Sequence, residues 1–301
     1  MKILITGCIT WSEEEICEIE DKGHKVTFIQ DERIPLKNQG IDVSSFEGVI
    51  CNGLFLYNDI NKFNNLKYIQ LTSAGYDRVP MKYILEKEII INNARGVYSV
   101  PMAEFALCGI LQLYKQSRFF SSNQKENKWI KSRNLQELYN KNVCIIGCGS
   151  VGSECAKRLN AFECNVCGVD INTDKRNYFE KIYTLSDMDK ALSVSDIVIL
   201  TLPLTDKTKN LINKNKFDKM KQGCIFVNIA RGSIVNTNDL VEALETKLLG
   251  AVLDVFETEP LNEDSSLWKK ENVILTPHNS FVGEGNRARL QKLIIKNLSR
   301  M

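Results

Sequence analysis

The 301-residue chain has no long apolar segment and no large excess of charge of either sign. Its first ten residues, MKILITGCIT, contain only a short apolar run before Gly7, too short for a signal-peptide core or a membrane span, and no later stretch is long and apolar enough to span a bilayer. The net charge of +2 is spread along the chain, without the basic patch that nucleic acid would require. We therefore expect a cytoplasmic protein that binds neither membranes nor nucleic acid.

Histidine is scarce, and the cysteines form no ligand pattern. The chain has two histidines and ten cysteines. Cys164 and Cys167 have C-x-x-C spacing, but they lie along a predicted strand, and zinc would need a second pair or nearby histidines. Other cysteines stand beside apolar neighbours and are expected in the core of a protein from a reducing compartment: Cys51, Cys108, Cys144 and Cys224. We predict neither a metal site nor a disulfide framework.

No repeat or Pro-rich linker interrupts the chain, and its length favours two domains. In the first hundred residues strand-like segments alternate with helical ones, and Ser12 with Glu15 forms a capping box before the first helix. Such alternation is typical of a parallel sheet covered by helices. The strand-like segments are KILIT at 2–6, KVTFI at 25–29, GVIC at 48–51 and KYIQL at 67–71.

A second α/β unit is predicted after a long amphipathic helix from Pro101 to about Phe120. Its apolar strands end at polar or small residues, where a parallel sheet places its ligand-facing loops. The segment from Gly283 to the end is helical and is expected to fold back on the first unit. The predicted strands are VCII at 143–146, NVCGV at 165–169, DIVIL at 196–200, CIFVN at 224–228, GAVLD at 250–254 and VILT at 273–276.

The first strand of this second unit leads into the sequence GCGSVG, with glycines in G-x-G-x-x-G spacing. Gly147 permits a tight turn, Gly149 lets the backbone approach a pyrophosphate, and Gly152 lets the helix pack closely on the strand. The helix N-terminus then presents N–H groups to the anion. The alternative is a glycine turn in any α/β protein, but the strand, helix and second strand around the motif favour a dinucleotide.

Asp170 follows the second strand, about where the fingerprint needs an acceptor for the ribose hydroxyls. Its charge would repel a 2′-phosphate, which favours NAD over NADP. Lys175 and Arg176 lie nearby but follow the acid.

His278, Arg231 and Glu259 each follow an apolar strand of the second unit. Reduction of a 2-oxo acid leaves negative charge on oxygen, which an imidazolium can protonate, while a carboxylate on the far ring nitrogen orients the imidazole. A guanidinium can hold the substrate carboxylate. Each residue could instead have a purely structural role: His278 as a packed side chain, Arg231 in a surface ion pair and Glu259 as a loop carboxylate. His24, in a DKGHK turn, illustrates the solvated alternative.

Taken together, these motifs resemble the D-isomer-specific 2-hydroxyacid dehydrogenases. The resemblance rests on GCGSVG, TLPLT with Asn210 and Leu211, NIARGSIV, DVFETEP and TPH, and on the earlier SAGYDRVP and NNARGVYSVPMAEFAL, in that family's order. It implies two Rossmann-like parallel-sheet domains, with an NAD-binding domain at 98–279 inserted into a discontinuous substrate domain at 1–97 and 280–301. It also implies a homodimer through the cofactor domains, with the Pro101 helix and the arm through Trp129 as candidate contacts.

The resemblance also assigns roles to individual residues. Arg231, Glu259 and His278 would be the catalytic residues, with Arg231 binding the substrate and His278 acting as general acid and base. Ser73, Ala74 and Gly75 would help to bind the substrate carboxylate. The cofactor would be bound by Gly147, Gly149, Ser150, Val151, Gly152, Asp170, Thr201, Pro203, Ala230, Asp254 and His278, with Asp254 near the nicotinamide carboxamide.

The chain departs from the family at Asn279 and Ser280, where many relatives have Gly-Gly or Gly-Ala after the histidine. The loop CNGLF at 51–55 lacks a basic residue associated with phosphorylated substrates, which favours a small or apolar 2-oxo acid. With no regulatory domain after Met301, an effector-regulated biosynthetic form is not expected, whereas phosphoglycerate and hydroxypyruvate or glyoxylate enzymes stay open.

Competing functions are a formate dehydrogenase, in which glutamine would replace Glu259, and an NAD-sensing binding protein with little turnover. An L-specific dehydrogenase would carry the glycine motif at the chain start.

Overall fold

The computed structural model describes residues 1–301 and divides into two compact units. One consists of Met1–Tyr98 with Gly283–Met301, and the other is Ser99–Val282. Each contains one fully parallel sheet with helices packed on it, which confirms the predicted α/β class with two parallel-sheet domains. None of the helices has both the length and the apolar character needed to cross a bilayer.

The first unit has a five-stranded sheet. Its elements are β1 (Lys2–Thr6), α1 (Glu13–Glu20), β2 (Lys25–Ile29), β3 (Gly48–Cys51), β4 (Tyr68–Leu71), α2 (Met81–Glu86) and β5 (Ile90–Asn92). The strand order in the sheet is β2-β1-β3-β4-β5. The predicted capping box before α1 is confirmed, since Ser12 Oγ accepts from the Glu15 N–H and Glu15 Oε2 accepts from the Ser12 N–H.

The second unit has a seven-stranded sheet, and its strand order reverses beside the strand at residues 142–146. In chain order its elements are α3 (Ser99–Tyr114), α4 (Ser117–Lys125), β6 (Asn142–Ile146), α5 (Ser150–Ala161), β7 (Asn165–Val169), β8 (Lys181–Tyr183), α6 (Met188–Val194), β9 (Ile197–Leu200), α7 (Lys214–Lys219), β10 (Cys224–Asn228), α8 (Thr237–Thr246), β11 (Leu248–Leu253) and β12 (Val273–Leu275). The order is β12-β11-β10-β9-β6-β7-β8. In open parallel sheets ligands bind at the carboxyl ends of the strands, at such a reversal.

Both faces of the second sheet are buried, and this explains its continuous apolar strands. Ile145 and Ile199 point to a core shared with α3 and α5. Cys144 and Val198, their neighbours in the sequence, point to the opposite core, which is shared with α6, α7 and α8. Polar groups are therefore confined largely to the strand ends.

The C-terminal helix α9 (Asn286–Leu298) belongs to the first unit. Its residues Leu290 and Ile294 lie in one buried core with Ile3 of β1. Arg287 donates from Nε and Nη2 to the two carboxylate oxygens of Glu15 on α1. Burial would raise the pKa of Glu15, but the bonds from Arg287 and Ser12 outweigh it and hold that pKa below its ordinary value.

The predicted single helix from Pro101 to Phe120 is wrong. α3 ends at Tyr114, and Gln116 has a left-handed φ of 51° before α4 begins. The Tyr114 carbonyl accepts from the N–H of Gln136 at 3.1 Å, a bond from a distant segment that periodicity cannot reveal. The sequence also does not predict the three-residue strands β5 and β8, because segments this short show no recognisable alternation of apolar and polar residues.

The placement of Cys108 in the core is also wrong, whereas Cys51, Cys144 and Cys224 are buried. α3 is so rich in apolar residues that its exposed side carries them too, and Cys108 lies there, where its Sγ accepts from Gln112 Nε2 at 3.2 Å. All ten cysteines are free thiols.

Candidate active site

The glycine motif forms the loop between β6 and α5, at the point where the strand order reverses. Gly147 has a φ of 99°, and a β-carbon there would lie 2.7 Å from the backbone nitrogen of Leu202. A β-carbon on Gly152 would overlap the Gly147 carbonyl. Thr201, which follows β9, donates from Oγ1 to the same carbonyl at 2.6 Å. Glycine is therefore required at both positions by close backbone packing.

Gly149 differs, because a β-carbon there would meet no atom within 4 Å. It is the N-cap of α5, and it supplies no side-chain hydrogen bond to the first turn, which begins with Ser150 and Val151. Open space beside a helix N-terminus without a side-chain cap suits an anionic group. These residues therefore fit the pyrophosphate of a dinucleotide.

Asp170 directly follows β7 and points back to the glycine loop. Its Oδ2 accepts from the N–H of Cys148 at 2.7 Å and from Arg176 Nη1 at 3.2 Å. Its Oδ1 accepts from the N–H of Asn172 at 3.0 Å. Burial would raise the pKa of Asp170, but these bonds outweigh it, lower the pKa and keep the carboxyl group ionised.

Arg231 begins a tight turn three residues after the end of β10. The buried side chain of Asn228 closes that turn, since it donates to the Arg231 carbonyl and accepts from the Ala230 N–H, each at 3.1 Å. Arg231 Nη1 donates to the Ala230 carbonyl at 2.8 Å. A β-carbon on Gly232 would overlap the backbone of Phe256. The Arg231 turn thus packs backbone to backbone on the loop that carries Glu259.

His278 and Glu259 form a direct pair. His278 Nδ1 lies 2.8 Å from Glu259 Oε2, and Glu259 Oε1 accepts from the N–H of Phe256 at 3.0 Å. Because a carboxylate can only accept, His278 Nδ1 carries a proton and Nε2 is the nitrogen left to exchange one. Both side chains are partly exposed, at 41% and 37%. The pair can therefore pass a proton to a bound molecule.

Asp254, at the end of β11, anchors the segment that carries His278. It is fully buried. Its Oδ1 accepts from Thr276 Oγ1 and from the N–H of Asn279, both at 2.7 Å, and its Oδ2 accepts from the N–H of Ser280 at 2.9 Å. The Asp254 carbonyl accepts from the His278 N–H at 2.8 Å. These four bonds hold His278 at a left-handed φ of 52°, which is uncommon for a residue with a side chain.

The structure thus brings the predicted catalytic residues Arg231, Glu259 and His278 to the ends of three adjacent strands. Among the predicted cofactor residues, Pro203 is exposed and accepts through its carbonyl from Thr208, and Ala230 is buried in its turn. The roles of these residues stay predictions.

The other predicted substrate residues, Ser73, Ala74 and Gly75, lie in the first unit after β4. Ser73 Oγ donates to the Gly75 carbonyl at 3.1 Å, and Asn93 Nδ2 donates to the Ala74 carbonyl at 2.6 Å. Their role likewise stays a prediction.

Sequence reasoning missed four residues around the site. Asn228 supports the Arg231 turn, and Thr276 donates a hydrogen bond to Asp254. In the sequence, only their position as polar residues at the end of an apolar strand could have pointed to them. Phe281 packs edge-on to His278, with ring centroids 6.1 Å apart. The sequence shows Arg176 only as a neighbour of Asp170, whereas in the structure the two side chains form an ion pair.

Residues 107–280 match the family model described as D-isomer specific 2-hydroxyacid dehydrogenase, NAD binding domain. The match spans more than half of the chain. It includes the glycine loop and the segments that carry Arg231, Glu259 and His278.

Two enzymes and one solved structure are also similar to this chain. A D-3-phosphoglycerate dehydrogenase of Archaeoglobus fulgidus is 37% identical over 221 residues, which is 73% of this chain but 42% of that protein, so the chain spans under half of its length. A glyoxylate reductase of Thermofilum pendens is 34% identical over 243 residues, covering 78% of this chain and 71% of that protein. The D-lactate dehydrogenase of Aquifex aeolicus, solved with NAD and lactic acid, has a TM-score of 0.75 at 25% identity and covers 98% of this chain and 93% of its own.

Proposed function

Because the chain belongs to the D-isomer-specific 2-hydroxyacid dehydrogenase family, we propose that it catalyses reversible reduction of a small 2-oxo acid to the D-2-hydroxy acid. Membership confirms the predicted family, its NAD cofactor and its oxidoreductase class. The observation that carries the proposal is the His278–Glu259 pair, at 2.8 Å, within an NAD-binding domain.

The glycine loop between β6 and α5 would hold NADH, which would supply the hydride when bound. Reduction leaves negative charge on the carbonyl oxygen of the substrate, and His278 donates a proton to that oxygen from Nε2. Glu259 holds Nδ1 protonated, orients the ring and stabilises the imidazolium. In the oxidative direction the same Nε2 removes the proton from the hydroxyl group. Such acid–base catalysis contributes ~10²–10⁴-fold to rate.

Arg231 binds the substrate carboxylate. A guanidinium is a planar fork that matches a carboxylate with two parallel hydrogen bonds. The Asn228 side chain and the contact of Gly232 with Phe256 keep its turn beside the Glu259 loop. Glu259 is itself informative, because a formate dehydrogenase is expected to have glutamine there.

The loop CNGLF at 51–55 supports a substrate without a phosphate group. It contains no basic residue, and Cys51, Gly53 and Leu54 are buried. We accordingly rank glyoxylate, pyruvate, hydroxypyruvate and branched 2-oxo acids ahead of a phosphorylated substrate.

The second unit also carries the surface that we propose for homodimer formation. Trp129 is 95% exposed, and Ile130 and Leu135 in the same segment are also exposed. Three large apolar side chains exposed within seven residues favour an interaction surface. Light scattering coupled to size exclusion should give a dimer mass, and Trp129→Ala should shift it toward the monomer. The predicted cytoplasmic location stays a prediction.

The test is NADH consumption with a panel of glyoxylate, pyruvate, hydroxypyruvate, phosphohydroxypyruvate and branched 2-oxo acids, with chiral analysis of the product. We expect turnover of at least one unphosphorylated acid to the D isomer. Tight NADH binding without turnover of any acid would instead support an NAD-sensing binding protein. An L product would contradict the proposed stereochemistry.

A further inference from the structure

Arg176 and Asp170 form an ion pair that holds the backbone of one residue of the glycine loop on both sides. Asp170 Oδ2 accepts from the N–H of Cys148, and Arg176 Nη1 donates to the carbonyl of Cys148. Arg176 Nη1 also reaches Asp170 Oδ2 at 3.2 Å, and Nη2 donates to the carbonyl of Asn172 at 3.3 Å. Both polar backbone groups of the residue between Gly147 and Gly149 are thus held by this pair.

The pair changes the charge that a bound dinucleotide would meet at the end of β7. An isolated carboxylate there would repel a 2′-phosphate, and this repulsion is the reason that the sequence favours NAD over NADP. In the structure the carboxylate accepts three hydrogen bonds, and an equal positive charge lies against it. The side chains of Asp170 and Arg176 are 15% and 26% exposed, so water screens the pair only partly. The local net charge is therefore close to zero.

Arg176 also keeps hydrogen-bonding capacity for a ligand. Its protein acceptors are the carbonyls of Cys148 and Asn172 and the carboxylate of Asp170. These bonds use Nη1 and one hydrogen of Nη2, so Nε–H and the second Nη2 hydrogen have no protein acceptor. A guanidinium with free donors near the ribose end of the site is the usual means of accommodating a 2′-phosphate.

We propose that Arg176 gives this chain affinity for NADPH as well as NADH, by neutralising Asp170 and by receiving the 2′-phosphate. The inference rests on the proposed function, because it assumes that the glycine loop binds a dinucleotide. Membership of the family establishes an NAD-binding domain, and the inference adds that the Asp170–Arg176 pair governs the choice between NADH and NADPH.

The test is direct binding of NADH and NADPH, measured by titration calorimetry without substrate. The readout is the ratio of the two dissociation constants, NADPH over NADH. The two ligands differ only in the 2′-phosphate, so any disturbance of the glycine loop affects both constants and largely cancels in the ratio. The proteins compared are the wild type, Arg176→Gln, Asp170→Asn and the control Lys175→Gln. Lys175 is a neighbouring exposed cation that does not bond Asp170.

We expect a wild-type ratio within ~10, because the pair is close to neutral. Arg176→Gln should raise the ratio about 10- to 100-fold, the usual worth of a charge-assisted hydrogen bond to a phosphate. Asp170→Asn should lower it, because the guanidinium then faces the phosphate alone. Lys175→Gln should leave it within about twofold, as for exposed charges in general.

Several outcomes would overturn the inference. One is a wild-type protein that binds NADH but binds NADPH more than ~10-fold more weakly, a result that needs no variant. Another is a ratio unchanged by Arg176→Gln in a protein whose thermal melt matches the wild type. If that variant fails to fold, the wild-type ratio decides alone. Failure of the wild type to bind either dinucleotide would instead contradict the proposed function.

Discussion

Replacement of Asp254 by asparagine should weaken both the second unit and its catalysis. An asparagine offers one acceptor oxygen, so it can keep the Thr276 and Asn279 donors but must turn its amide NH₂ toward the Ser280 N–H. Loss of a charge-assisted bond that leaves a buried N–H unpaired costs about 2–3 kcal/mol. For a unit of this size the melting temperature should then fall by ~4–12 °C.

The catalytic effect of Asp254→Asn follows from the segment that it holds. His278 keeps its left-handed backbone through neighbours bonded to Asp254, and a displacement of about 1 Å at a reacting group can cost ~10²-fold in rate. We expect kcat to fall ~10–100-fold. Thermal melts and NADH turnover measure the two effects, with the exposed Asp264→Asn as control. A variant that melts and turns over like the wild type would refute this account of Asp254.

Gly232→Ala should destabilise the second unit by about 1–3 kcal/mol in urea unfolding, since its β-carbon would overlap the Phe256 backbone. Gly149→Ala should leave unfolding unchanged but weaken NADH binding measured by calorimetry, because its methyl group enters only open space. If Gly232→Ala and Gly149→Ala changed the free energy of unfolding equally, this contrast would be wrong. For Glu15, whose pKa is lowered, the stability from the Arg287 pair is present above the ordinary value of 4.5 and lost as pH falls through the lowered value. The melting-temperature deficit of Arg287→Ala should therefore shrink below that pH, and a deficit independent of pH would argue against the pair.

Much of the architecture could be predicted because local patterns determined it. The glycine spacing followed by a helix, the apolar strands buried on both faces and the Ser12–Glu15 capping box each depend on residues close together in the chain. The candidate catalytic residues could be named because each follows a strand whose carboxyl end faces the same edge.

The remaining features depend on contacts between distant segments. α3 ends at Tyr114, where the carbonyl accepts a hydrogen bond from the N–H of Gln136. The anchoring role of Asp254 depends on hydrogen-bond donors more than twenty residues away in the chain. Arg176 lies close to Asp170 in the sequence, but only the folded loop shows that Asp170 binds the N–H of Cys148 while Arg176 binds its carbonyl. No periodicity or propensity encodes such pairings.

The central claim is that His278, oriented by Glu259, exchanges the proton during reduction of a 2-oxo acid. Its most direct test is kcat for NADH oxidation by His278→Ala with the best acid of the panel, alongside the NADH dissociation constant. His24→Ala, at the other histidine of the chain, is the matched control. We predict a ~10²–10⁴-fold fall in kcat with NADH binding retained for His278→Ala, and no effect of His24→Ala. A kcat for His278→Ala equal to that of the wild type would contradict the account.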